Sequence, residues 1–229
     1  MADLSGQVAL VTGASRGFGR AAALALAGAG AHVVALARTV GALEELDDAV
    51  QAAGGQATLV PLDIGDDAGL ARMGAALFER WGRVDAWLHT AVYAPPLAPA
   101  EHVGEKELDT ALAVNVRSFQ RLIRVVDPLL RPAPAGRALI AADPAPVAPF
   151  HGLYCMTKAA QAALTAAWVA EVGSRIAVAE LALPPMPTAL RGRFHPGESR
   201  EGLTDPGEVA ARLLAKWSDI QPGEMLDLR

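Results

Sequence analysis

The 229-residue sequence predicts one α/β domain: a doubly wound parallel sheet with helices on both faces. Two observations carry that expectation. Short apolar runs alternate with longer amphipathic ones along the chain, and runs that are apolar throughout suit strands covered on both faces. No linker, internal repeat or low-complexity tail interrupts the alternation, so residues 1–229 read as a single domain. Composition agrees. Hydrophobic residues make up 52% of the chain, much of it alanine, which suits helices packed closely on a sheet and argues against disorder.

Taken in order, residues 7–12 read as a buried strand, 17–30 as a helix and 32–37 as a second strand. Residues 42–53 are helical and stop at Gly54-Gly55, where glycine ends a helix at little steric cost. Residues 56–62 form a third strand. Residues 66–81 form a helix whose two opening acids, Asp66 and Asp67, favour the positive end of the helix dipole. A fourth strand covers 84–89, and one long helix covers 105–130 up to the breaker Arg131-Pro132-Ala133-Pro134-Ala135-Gly136. A strand at 137–142, a helix at 153–172, a strand at 175–183, a helix at 206–218 and an edge strand at 224–228 complete the pattern.

The net charge of −5 and a pI of about 5.5 speak against a nucleic-acid partner. The single cysteine, Cys155, excludes an internal disulfide and a cysteine-based zinc cluster, and no metal site is expected. The start, Met1-Ala2-Asp3-Leu4-Ser5, lacks the basic and apolar regions of a signal peptide. The most apolar early stretch, 21–37, is broken by Gly28, Gly30 and His32. A soluble cytoplasmic protein without a membrane partner is the expectation.

Chemistry gathers at two places. Thr12-Gly13-Ala14-Ser15-Arg16-Gly17-Phe18-Gly19 joins the first strand to the first helix. Glycines there let the backbone turn tightly and approach a pyrophosphate at the helix N-terminus, which makes Gly13, Ser15, Arg16, Phe18 and Gly19 candidate dinucleotide contacts. The alternative is that the glycines serve the turn alone. The second strand ends Ala35-Leu36-Ala37-Arg38, with no acid to hold the ribose hydroxyls of NAD. Arg38, with Arg16, suits a 2′-phosphate, so NADP(H) is favoured over NAD(H). Solvation of both arginines is the alternative. Asp63 is placed either to accept from an adenine amino group or to cap the turn at Gly65.

The second place is Tyr154 and Lys158, four apart in a helix-forming run and so about one turn apart on one face. An ammonium there lowers a phenol pKa and makes the hydroxyl a usable proton donor or acceptor. The usual partner is an upstream hydroxyl that holds a substrate oxygen. No serine or threonine occurs between residues 119 and 156.

In this order and spacing, the residues resemble the classical short-chain dehydrogenase/reductase family over essentially the whole chain. The resemblance rests on Thr12-Gly13-x-x-x-Gly17-x-Gly19, Asp63, Val114-Asn115-Val116, Tyr154-x-x-x-Lys158 and Thr188 in Pro184-Pro185-Met186-Pro187-Thr188. It implies a Rossmann-like fold and hydride transfer between a nicotinamide and a carbonyl or alcohol carbon. It further implies that Tyr154 exchanges the proton, that Lys158 lowers its pKa and binds the nicotinamide ribose, and that Asn115 holds a water in the proton relay. Thr188 would contact the carboxamide or phosphates, and Ala91 would lie beside the cofactor. Asn115 as a packed, hydrogen-bonded helix residue is the alternative. Dimers or tetramers built from 105–130 and 153–172 are also implied, the alanines Ala159-Ala160 and Ala162-Ala163 permitting close helix approach.

Three departures from the family pattern stand out. The Asn-Asn-Ala-Gly turn after the fourth strand reads His89-Thr90-Ala91-Val92, which removes a glycine's backbone freedom. The Pro-Gly after the sixth strand reads Pro184-Pro185, a stiffer pair. The catalytic serine's place falls on Ala141, or with a slip on Ala142 or Asp143. A missing oxyanion donor costs about 10²–10³ in rate. Asp143 would donate only if protonated, and Lys158 favours its ionised form; a turn role before Pro144 is the alternative. His151 is a further candidate donor or a solvated loop residue. Segments 92–97, 144–150 and 186–194 should line an apolar pocket, with Arg191, Arg193, Arg200, Glu198 and Glu201 beyond it as an anion contact or a solvated lid. Two readings follow: an NADP(H)-dependent oxidoreductase for a carbonyl or alcohol, or a dinucleotide-binding protein whose redox chemistry is impaired. A non-redox lyase or isomerase is a third.

Overall fold

The computed structural model describes residues 2–143 and 148–229. Among the described residues seven strands form one sheet in the order β3-β2-β1-β4-β5-β6-β7, every neighbouring pair parallel. They are β1 (Val8–Thr12), β2 (His32–Ala37), β3 (Gln56–Pro61), β4 (Ala86–His89), β5 (Arg137–Ala142), β6 (Ala177–Ala182) and β7 (Met225–Asp227). β1 and β4 are buried at every position. Such strands are apolar on both faces because both faces are covered.

One face carries α1 (Gly17–Gly28), α2 (Val40–Ala52) and α8 (Pro206–Ala215) over a core that includes Leu26, Leu46 and Leu213. The other carries α3 (Asp67–Trp81), α5 (Ser118–Leu130) and α6 (Gly152–Val172) over Leu70, Trp87, Phe119 and Trp168. Local chemistry sets the helix ends. Asp66 caps α3 by accepting from Gly69 N at 2.9 Å, and Gly82 ends it at φ 72°. Asp205 caps α8, with Pro206 in its first turn. At the base of the sheet, the buried Asp85 carboxylate accepts from Val8 N at 2.8 Å and Arg83 Nε at 2.9 Å, locking β1 beside β4.

The strand order reverses between β1 and β4, so their C-terminal ends open a crevice where such sheets take ligands. The single doubly wound sheet expected from the sequence is therefore present. The single long helix over 105–130 is not. It divides into α4 (Glu105–Ala111), a π turn at Leu112–Arg117 and α5. Ser118 Oγ donates to Ala113 O, five residues back, at 2.8 Å. The wide turn seats Asn115 fully inside the fold, which a regular helix pattern does not anticipate. A short α7 (Ala189–Phe194) also appears, in the stretch read as a possible lid, and the helix expected over 206–218 ends at Ala215, followed by a 3₁₀ turn at Trp217–Asp219.

Candidate active site

A cavity of about 1310 Å³ opens over the C-terminal strand ends. Gly13, Arg16, Gly17, Phe18, Gly19, Arg38, Asp63, Ala91, Tyr154, Lys158 and Thr188 all line it, so one crevice gathers nearly all the candidates. Ser15 does not line it, and neither does Asn115, whose side chain works behind the wall.

At the cofactor end, Gly13 sits at φ 89°, and a Cβ there would lie 2.7 Å from Ala91 N and 2.7 Å from Thr90 Oγ1. That glycine lets the β1 turn touch the loop after β4, where Thr90 Oγ1 donates to Thr12 O at 2.9 Å. Gly17, at φ 56°, brings the turn against Thr188, whose hydroxyl caps α7 by accepting from Arg191 N at 3.3 Å. α1 has no side-chain cap and no acid in its first turn, which leaves its N-terminal N–H groups suited to an anion. Arg38 pairs with Asp63 at 3.8 Å, but both are largely exposed, so the contact is weak and Arg38 remains available to a phosphate. Asp63 also accepts from Gly65 N at 2.8 Å, the turn-capping role. This chemistry fits a dinucleotide: glycine turn, open helix N-terminus and two arginines at one end of one crevice.

At the other end, Tyr154 is buried to 6% exposure and its ring meets Phe194 edge-on at 4.8 Å. Its hydroxyl hydrogen-bonds the Asp143 carboxylate at the end of β5. Of the three positions considered for the missing hydroxyl, Asp143 is thus the one whose side chain bonds the tyrosine, while the turn expected from Pro144 onward lies outside the described residues. Burial first, then the Asp143 charge and hydrogen bond, push the phenol well above its ordinary pKa. This is opposite to the lowering expected from Lys158. Lys158 Nζ donates to Ala141 O at 2.8 Å and to Gln161 Oε1 at 2.6 Å. Burial pulls its pKa down to about 8, against the opposing charges of Asp143 and Glu180.

Asn115 binds the loop after β4 in two directions: its Oδ1 accepts from Tyr93 N at 2.7 Å and its Nδ2 donates to Tyr93 O at 2.9 Å. The same Nδ2 donates to Thr157 Oγ1 on α6 at 3.0 Å. This fixes the Val92 segment without the missing glycine; among described non-glycine residues only Phe150 has a positive φ, 69°. The Asn115 side chain is thus buried with both of its polar atoms hydrogen-bonded.

Val92, Tyr93, Ala94, Ala148, His151 and the stretch 184–186 line the substrate side. The expected lining segment 144–150 lies partly outside the described residues, at 144–147. His151 Nδ1 lies 2.9 Å from Pro149 O, and its ring meets Phe194 at 5.2 Å and His195 at 6.2 Å. Arg191 is held by Glu198 in a bidentate pair at 2.7 and 2.6 Å, joining α7 to the following loop. Two site residues escaped the sequence reading, Gln161 and Glu180, and His89, read there only as part of the altered turn after β4, lines the cavity with them. Gln161 carried a usable signal, standing one turn beyond Lys158; for Glu180 and His89 only the folded sheet brings them there.

A model of the short chain dehydrogenase family matches residues 7–199. L-xylulose reductase of Mus musculus is 34% identical over 225 residues, covering 95% of this chain and 86% of that protein. Fatty acyl-CoA reductase of Acinetobacter baylyi is 38% identical over 89 residues, and there this chain covers 30% of that protein's length. A solved 7α-hydroxysteroid dehydrogenase, complexed with NADH and 7-oxo glycochenodeoxycholic acid, matches with TM-score 0.86 at 26% identity, covering 98% of this chain and 93% of that one. With the glycine turn, the tyrosine and the lysine around one crevice of a parallel sheet, these likenesses make the chain a member of the short chain dehydrogenase family, oxidoreductases acting on CH–OH and C=O groups.

Proposed function

We propose that the protein transfers hydride between NADP(H) and a small carbonyl or alcohol substrate, with Tyr154 exchanging the proton. The observation that carries this reading is the single cavity shared by Tyr154, Lys158 and the glycine turn of α1. The NADH-bound hydroxysteroid dehydrogenase supports a nicotinamide partner, and the L-xylulose reductase supports reduction of a small substrate. Arg16 and Arg38, with no acid at the end of β2, favour the 2′-phosphate form. The nicotinamide supplies or takes the hydride when bound.

The chain's own residues do the rest. Tyr154 presents its hydroxyl at the floor of the substrate side, and Lys158 places a positive charge beside it. Phe194, Met186 and Val92 exclude water from that end. The test is steady-state oxidation of NADPH and NADH across a panel of ketones, aldehydes and quinones. NADPH consumption with at least one substrate is expected, and Tyr154→Phe should lower kcat by about 10²–10⁴. Retention of full activity in that variant would remove Tyr154 from the chemistry.

One observation favours a second reading, a dinucleotide-binding protein with little turnover. The Tyr154 hydroxyl is already bonded to a carboxylate and its pKa is raised, which makes it a poor acid. Tight NADPH binding by calorimetry, with no consumption over the same panel, would select this reading.

A further inference from the structure

We propose that Gln161 is a positioning residue: its buried amide ties the Lys158 amine to the main chain of Asn115 and closes that side of the site to proton exchange. The proposal rests on the role given above to Tyr154 and Lys158. Gln161 lies one turn beyond Lys158 on α6 and is 2% exposed. Its Nε2 donates to the main-chain carbonyl of Asn115 at 2.7 Å while its Oε1 accepts from Lys158 Nζ at 2.6 Å. The amide orientation is forced, because a carbonyl only accepts and an ammonium only donates; the flipped amide would oppose both partners.

The bridge spans two elements. The Asn115 carbonyl belongs to the π turn and Lys158 to α6, so the wide turn and the amide together fix where Nζ sits. Ala141 O takes a second N–H at 2.8 Å. A neutral amine still has two N–H groups for the same two acceptors, so the clamp holds in either protonation state. An amide has no titratable proton at ordinary pH. With its oxygen and one N–H committed, Gln161 holds the amine without passing a proton to the Asn115 side.

The ionisable groups whose charge bears on Lys158 are Asp143 after β5, Glu180 on β6 and His89 on β4, and Tyr154 stands one turn before it on its own helix. His89 is held neutral by its burial. Asp143 and Glu180 bring titratable carboxyls to the cavity wall, whereas Gln161, which lines it too, has no titratable proton, so proton exchange with solvent is assigned to the two carboxyls.

The chain has three lysines, Lys106, Lys158 and Lys216, so side-chain ¹³C labelling resolves Lys158 by NMR in the intact protein without any substrate. Gln161→Leu removes an acceptor that favours the charged amine and should lower the Lys158 titration midpoint by roughly half a pH unit or more. Gln161→Glu should raise it, and the basic limb of the pH–rate profile should move with the midpoint in each variant. In kinetics, Gln161→Leu should lower kcat about tenfold while the KM for NADPH stays within about twofold. Midpoints equal to that of the parent protein, in variants whose melting curves show folded protein, would overturn the proposal. If Gln161→Leu does not fold, Gln161→Glu and Gln161→Met carry the same comparison. The NMR readout is independent of turnover, so activity persisting in Tyr154→Phe would fail the functional reading and leave this one standing or falling by itself.

Discussion

Tyr154 and Asp143 form a pair whose two members want different things. A phenol that is to exchange protons near neutral pH needs its anion stabilised, yet burial and the facing carboxylate both stabilise the neutral form. A carboxylate is also an acceptor where a substrate oxyanion would need a donor. Replacing Asp143 by serine removes the charge and restores a hydroxyl against the tyrosine. Asp143→Ser should therefore lower the Tyr154 pKa and raise kcat, by about 10²-fold if the hydroxyl reaches the substrate oxygen. The chain has two tyrosines, Tyr93 and Tyr154, so an ultraviolet titration of phenolate resolves the shift. A fall in activity in Asp143→Ser would instead mean that the carboxylate itself works in the reaction. Asp143 was one of three candidate positions in the sequence because spacing alone does not say which residue at a strand end turns toward the helix. The hydrogen bond between Asp143 and Tyr154 is visible only once the chain is folded.

Helix α6 works on two sides. Its inner face presents Tyr154, Thr157, Lys158 and Gln161 to the sheet and the π turn, while Met156, Ala159, Ala163 and Ala167 are exposed along its outer face. We propose that a second copy of the chain packs there, since small side chains let helix axes approach to about 8–10 Å. Ala163→Arg should yield a monomer by sedimentation while leaving the fold intact; an unchanged assembly, or a parent protein that is already monomeric, would reject this face as the contact. The strands and most helices were legible because each repeats a local pattern of apolar residues, and the glycine turn because only a few residues tolerate its backbone. The π turn was not. It adds a residue to one turn and leaves apolar residues on both flanks, so residues 105–130 read as continuous. What fixes it is distant, the bonds of Asn115 to Tyr93, 22 residues before it, and to Thr157, 42 residues after it. Gln161 has the same history: its spacing from Lys158 is local, but its meaning depends on the Asn115 carbonyl, 46 residues away.

Across the whole molecule, the sheet's central strands carry a buried polar group whose cost is tied to pH. His89 ends β4 at 2% exposure, between Trp87 at 5.4 Å and Phe119 at 5.1 Å. Its Nδ1 shares a hydrogen bond of 2.8 Å with Thr12 Oγ1, and its Nε2 has no partner among the described residues. Burial first, then the nearby Lys158 charge, lowers its pKa from 6.5 to about 3. The folded pKa is thus below the unfolded one, so between these values the unfolded chain binds a proton that the folded protein refuses. This contribution is fully present above about pH 6.5 and is lost as the pH falls toward about 3. The loss is on the order of a few kcal/mol, a substantial part of the roughly 5–15 kcal/mol that holds a domain folded. Urea unfolding measured from about pH 7 down to about pH 4.5 should show stability falling with a slope that includes close to one proton from this site. His89→Gln keeps a polar group beside Thr12 and cannot titrate, so its slope over that range should be smaller by about that proton. Equal slopes in the two proteins would show that His89 takes up its proton in the folded state as readily as in the unfolded one.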